Sequence, residues 1–329
     1  MAGAITHLLV ADAAAERAQR EVPRLAKAIA KARPFLLLGS VSPDLPYAMV
    51  IPGKGQQIWA DRFHYLHTSG VGTKGPLDLG QRNLLGTPMG DSQLAWVAGY
   101  VAHCVTDATI HPIVQAIVGP YHTAPDAHRI CEMIQDSLLF SETRECDLRG
   151  THYVDQLKTF VRDREQDFRG LVGYWCVLLR QVYGEIDPQP QPEEWHSAYG
   201  KLLDVAADNK LAMVLSRVFT GAEDYLYDTS KELRAARKDE AEKCFDLVPV
   251  PDQPGERAKF SEVGFARAVE NTLVVWQALD HDAHNAKKIV SGDLLPQVPN
   301  VLLNWNLDTG ANMDLGDGRV TYWPGSVGS

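Results

Sequence analysis

The chain has no uninterrupted apolar run approaching the roughly 18 to 20 residues that a membrane-spanning helix requires. Its most apolar stretch is broken by His103, Asp107 and His111. It also lacks a basic segment ahead of an apolar core at its start: MAGAITHLLVADAAAERAQREV acquires charge at Asp12, Glu16 and Arg17, which predicts a helix of the mature protein rather than an export signal. CxxC pairs are missing, and the five cysteines (Cys104, Cys131, Cys146, Cys176 and Cys244) are an odd number. That usage fits reduced thiols in the cytoplasm and leaves cysteine out of metal binding. Excess positive charge is missing too: 32 Lys and Arg against 42 Asp and Glu give a net charge of −10, so the long-range field repels nucleic acid and anionic membrane surfaces. No internal repeat and no heptad series is found. These absences predict a soluble cytoplasmic protein without stable membrane insertion and without a nucleic-acid partner.

What is present is apolar material at helical spacing. Hydrophobic residues make up 45% of 329 positions, ample for a substantial core. Ile5, Leu8, Leu9, Ala13, Val22, Leu25 and Ile29 predict one helix over 5–32, ended by Arg33-Pro34. The turn-rich segment from Gly39 to Pro46 is expected to be a rigid loop carrying Asp44. A long helix over 92–118, apolar on nearly all sides, is expected to run through the middle of a bundle, with a further helix from near Asp126 past Leu139. Helices are also expected over 152–169, 171–184, 193–220, 222–244 and 260–289. The fold class is therefore all-α, a multi-helix bundle with an irregular tail from Leu294 onward, packed by its tryptophans. The proline-rich stretch 187–192 reads as a linker or crossover, dividing a metal-binding core (1–186) from a helical extension (187–329) packed on it or part of the same domain.

The chemistry concentrates in HCVTDATIH, residues 103–111, where His103, Asp107 and His111 recur at every fourth position. Each step turns a helix through about 400°, so the three side chains share one face and neighbouring pairs can hold one metal or straddle two. A carboxylate buried among Val101, Ala102, Val105 and Ile110 costs several kcal/mol unless a cation or hydrogen-bond network compensates it. A second array, His128, Glu132 and Asp136, repeats the spacing on the next helix. One such triplet alone is more often a salt-bridged helix surface; two in succession point to a metal cluster.

With Ile5-Thr6-His7, Gly39-Ser40-Val41-Ser42-Pro43-Asp44 and Phe63-His64-Tyr65 in order before them, these motifs resemble the zinc-dependent phospholipase C family, which includes the catalytic domain of the glycosylphosphatidylinositol-specific phospholipase D. The likeness spans roughly residues 4–140. It implies a helical bundle, two or three zinc ions, and hydrolysis of a phosphoester by metal-activated water. It further implies His7, Asp44, His64, His103, Asp107, His111, His128 and Glu132 as metal ligands, with Asp107 bridging two ions and Asp44 the catalytic carboxylate that takes or orients the water's proton. Imidazole and carboxylate donors suit zinc, and manganese or iron fits the same set. The amino-terminal tryptophan of the secreted bacterial members has no counterpart, since the chain begins Met-Ala-Gly-Ala, and Leu45 follows Asp44 where those enzymes place an aromatic residue against choline.

Other residues keep two readings. His64 and His67 compete for one position, and His64 is the choice. Trp59 and Phe63 are expected to line a substrate groove, although aromatic residues at such spacing are more often core. Asp136 orients a ligand or is a solvated helix carboxylate, and His281 and His284 sit in an acidic cluster near a helix end. The function expected is a metal-dependent hydrolase acting on a small-molecule or lipid-headgroup phosphoester. The alternatives are iron-dependent redox or rearrangement chemistry on the same scaffold, and a helical interaction module with structural metals.

Overall fold

A computed structural model describes residues 3–49, 55–147, 165–207 and 229–324. Proline decides the first break. The helix expected over 5–32 is two helices, α1 (Ala4–Glu21) and α2 (Pro23–Lys31), because Pro23 has no N–H to continue the ladder and instead opens the next helix. Pro34 acts the same way, lying in the first turn of α3 (Arg33–Val41) rather than ending a helix. The segment expected to be a loop is a 3-10 helix, Ser42–Ala48, so Asp44 sits on a short ordered turn.

There follow α4 (Ile58–Tyr65), α5 (Gly70–Gln81) and α6 (Pro88–Val118), the last capped by Thr87, whose hydroxyl accepts the Gly90 amide. Pro112 lies inside α6 without ending it. Then come α7 (Pro125–Arg144), α8 (Glu165–Tyr183), α9 (Pro192–Ala207), α10 (Ser230–Ala236) and α11 (Lys238–Ala241). The last long helix is α12 (Ala266–Val290), followed by the single turn α13 (Val298–Val301). The helix expected over 152–169 lies outside the described residues apart from its final turn, as do the parts of those expected over 193–220 and 222–244 that fall in 208–228. Among the described residues strand is confined to two antiparallel pairs, β1 (Val248–Pro249) with β2 (Arg257–Ala258) and β3 (Trp305–Asn306) with β4 (Ala311–Asn312). The chain is all-α, as expected.

α6 is the axis. It packs against α2, α3, α5 and α12, and the buried apolar side chains of both chain halves form one continuous cluster. Among the described residues α6 alone is long and apolar enough to cross a membrane by length and composition; most of that stretch is buried in the bundle. Residues 187–192 lie against the core, with Trp59 Nε1 donating to Pro188 O and Gln56 Nε2 to Gln189 O. The tail is held by its tryptophans: Trp305 and Trp323 are fully buried, and Trp323 Nε1 donates to Thr109 O on α6 at 2.7 Å.

α3 crosses α6 with two glycines in the contact. A Cβ on Gly39 would stand 2.2 Å from Trp96 O, and one on Gly99 2.0 Å from Leu36 O, so the backbones touch. This crossing brings Ser40 within reach of His103. Gly99→Ala must push the helices apart, and overpacking of this kind costs about 1–3 kcal/mol. Urea unfolding should show that loss, and an unchanged midpoint would mean that the crossing yields freely.

Candidate metal centre

Asp107, 0% exposed at the middle of α6, is surrounded by imidazoles. Its Oδ2 lies 3.1 Å from His103 Nε2 and 3.6 Å from His64 Nε2; its Oδ1 lies 3.2 Å from His7 Nε2 and 3.4 Å from His111 Nε2. Asp44, carried in by the 3-10 turn, places Oδ1 3.2 Å from His64 Nε2 and 3.8 Å from His103 Nε2. Two compact donor triads result, His7, His103 and Asp107, and Asp44, His64 and His103, with His103 common to both. Five separate elements (α1, the 3-10 turn, α4, α6 and α7) supply the expected ligands.

The rings are aimed by backbone carbonyls. His103 Nδ1 faces Ser40 O at 3.0 Å and His64 Nδ1 faces Ala60 O at 2.8 Å. A proton on each Nδ1 satisfies the carbonyl and leaves the lone pair on Nε2 pointing inward, the arrangement that holds a ligating histidine. Nε2 of His7, His64, His103 and His111 is buried without a hydrogen-bond partner. Donors bound about 2.0–2.1 Å from one zinc in a tetrahedron stand about 3.3 Å apart. The contacts around Asp107 and Asp44 span 3.1–3.8 Å, so the residues present fit the metal.

Electrostatics agree. Burial alone raises the Asp107 carboxyl, but the imidazoles of His103, His111 and His7 outweigh it and hold the group well below the usual carboxylate range. Asp44 is lowered by the same competition between burial and the rings of His103, His64 and His7. Two buried carboxylates ringed by imidazole nitrogens favour a cation at this point.

The other half is more open. His111 Nε2 lies 3.8 Å from Glu132 Oε1, while His128 turns its Nε2 to Gly119 O at 2.5 Å, a carbonyl placed by the positive φ of Gly119 at the end of α6. His128 Nδ1 is buried and unpartnered. Among the described residues no compact triad includes His111, His128 or Glu132.

Asp136 continues the α7 row, but it binds α1. It accepts Ile5 N (3.1 Å), Thr6 N (2.7 Å) and Thr6 Oγ1 (2.7 Å), capping the helix one residue before His7. His64 is the residue in the cluster; His67 is exposed, in the left-handed region after α4. Trp59 and Phe63 require a correction. Their rings are buried in an aromatic core with Tyr183 and Trp195, where apolar area outweighs any role in a groove. His284 and His281 pair with Asp280 and Asp282, which in turn hold Arg24 of α2 and the amides of Gln297 and Val298; the cluster secures α12 rather than the centre.

The family model of zinc dependent phospholipase C matches residues 6–176. The chain belongs to that family. The match takes in every residue of the centre from His7 to Glu132 and just over half of the 329 positions. No curated protein and no solved structure matches the chain. The orienting carbonyls of Ser40 and Ala60 had no signature in the sequence, because a backbone acceptor carries none.

Burial pushes the Glu132 carboxyl from its ordinary 4.5 up to about 8, so the folded, metal-free chain holds a proton there that the unfolded chain releases above pH 4.5. That group therefore disfavours folding increasingly as pH rises from 4.5 to 8. His111, lowered by burial from 6.5 to about 3, has the opposite sign and weakens the fold as pH falls below 6.5. Metal-free Glu132→Gln should lose less stability than the wild type between pH 5 and 8 in urea titrations. Parallel curves would show that Glu132 is already ionised.

Proposed function

We propose that this protein is a metal-dependent phosphoester hydrolase that cleaves a lipid-headgroup or soluble phosphoester with metal-activated water. The observation that carries the reading is a ring of four imidazoles whose unpartnered Nε2 atoms converge on two buried carboxylates. Membership of the zinc dependent phospholipase C family supports the same chemistry.

The ligands would be His7, Asp44, His64, His103 and Asp107 on the compact side and His111, His128 and Glu132 on the open side, with Asp107 between them. Zinc held there lowers the pKa of water toward 7 and neutralises charge on the phosphoryl oxygens. Asp107 is sealed off by imidazoles at 0% exposure, and its work is to hold cations in place. Asp44 differs. Buried on the 3-10 turn that enters the cluster, it would take a proton from the attacking water. The wider donor spacing on the open side, with His111 Nε2 3.8 Å from Glu132 Oε1, suits the open coordination position that a catalytic rather than a structural centre requires.

Elemental analysis of protein purified without added metal, paired with turnover of bis(p-nitrophenyl) phosphate, tests the proposal. Wild type should carry zinc and turn over. Asp107→Asn should lose metal and at least about 100-fold in rate, the lower end of what removing a charge-stabilising group costs. Chelation should abolish activity and added zinc restore it. Iron in place of zinc, or metal without phosphoesterase activity, would turn the reading toward redox chemistry or a structural centre.

A further inference from the structure

The row of ligands on α6 has a fourth member that binds no metal. Gln115 follows His103, Asp107 and His111 at the same four-residue spacing, and its Nε2 donates to Asp308 O at 2.8 Å. Asp308 belongs to the tail, 132 residues beyond the end of the family match at 176.

The same turn of the tail grips α4 at its ligand. Leu307 N donates to His64 O at 3.0 Å, and Tyr65 Oη donates to Asp308 Oδ2 at 2.6 Å. Just beyond α4, the Trp305 amide donates to Thr68 Oγ1 at 2.8 Å and Ser69 Oγ to Asn304 Oδ1 at 2.8 Å. The turn is held tight from within, Asp308 N donating to Asn306 Oδ1 at 3.0 Å and Gly310 N to Asn306 O at 2.8 Å. Gly310 then presses on α6 beside the bridging carboxylate: with φ +69 it takes a conformation suited to glycine, and a Cβ there would stand 2.5 Å from Ala108 O. One tail segment thus touches both helices whose imidazoles must meet, at His64 on one and on either side of His111 on the other.

We propose that Asp308 is a positioning residue of the metal centre, fixing the His64-Tyr65 turn of α4 against the ligand row of α6 through its carboxylate and its carbonyl. The inference rests on the metal-centre reading above. α4 is only 8 residues long and ends beside a positive-φ residue, His67, so its own backbone sets the direction of His64 weakly. Ala60 O aims the ring within α4; Asp308 aims α4 itself. Ligand supports of this kind are worth 10- to 100-fold in metal affinity.

Cobalt(II) titration of the full chain, read by its visible absorption, tests this without recourse to catalysis. Wild type should bind cobalt with the spectrum of imidazole and carboxylate coordination. Asp308→Ala and Tyr65→Phe should each raise the cobalt Kd about tenfold or more and alter the band shape, with helical circular dichroism unchanged. Asp308→Asn, which keeps an oxygen for the Tyr65 hydroxyl, should behave nearly as wild type. Asp317→Ala removes an exposed pair with Arg319 on the same tail and should change neither spectrum nor affinity. If Asp308→Ala fails to fold, Tyr65→Phe breaks the same hydrogen bond from its other end. Wild-type spectrum and affinity in both variants, or an equal effect from Asp317→Ala, would overturn the inference while leaving the centre standing. No cobalt uptake by wild type would overturn the centre itself.

Discussion

One carboxylate, that of Asp107, sets the terms for the rest of the molecule. It lies in the middle of the most apolar long helix among the described residues, where an anion without compensation costs several kcal/mol. His7, His64, His103 and His111 converge on it from three helices, and each of those helices must be held where its ring can point inward. The architecture reads as a set of answers to that demand. Two glycines let α3 lie against α6, so that Ser40 O reaches His103; Asp136 seizes the first amides of α1, so that His7 arrives in register; Ala60 O turns His64 within its own helix.

The two sides of the centre are unequal. His7, His64, His103, Asp44 and Asp107 already stand at the spacing of atoms sharing an ion, whereas His128 is drawn to a carbonyl by one ring nitrogen and Glu132 favours its proton. On the proposed reading, a centre with one tight and one more widely spaced half would retain its cations while leaving a coordination position free to exchange.

Much of this was legible in the sequence, and the reasons divide cleanly. Four-residue spacing survives folding, so the rows at 103–111 and 128–136 named their helices and faces directly. His7, Asp44 and His64 were singled out by the resemblance to the family and not by any spacing of their own. Periodicity was less informative where a proline intervened: the apolar pattern runs straight through Pro23, yet the backbone cannot, and α1 ends there. Trp59 and Phe63 show another limit, since an aromatic side chain has the same appearance in a groove and in a core, and the rings of Tyr183 and Trp195 that bury them come from far along the chain. The contact between Tyr65 and Asp308 spans 243 positions, and no local pattern announces it.

That separation bears on how the molecule comes into being. During synthesis from the amino terminus, the donor side chains from His7 to Glu132 emerge well before the turn at 306–310 that braces α4 against α6. The brace between α4 and α6 can form only once the last part of the chain is available.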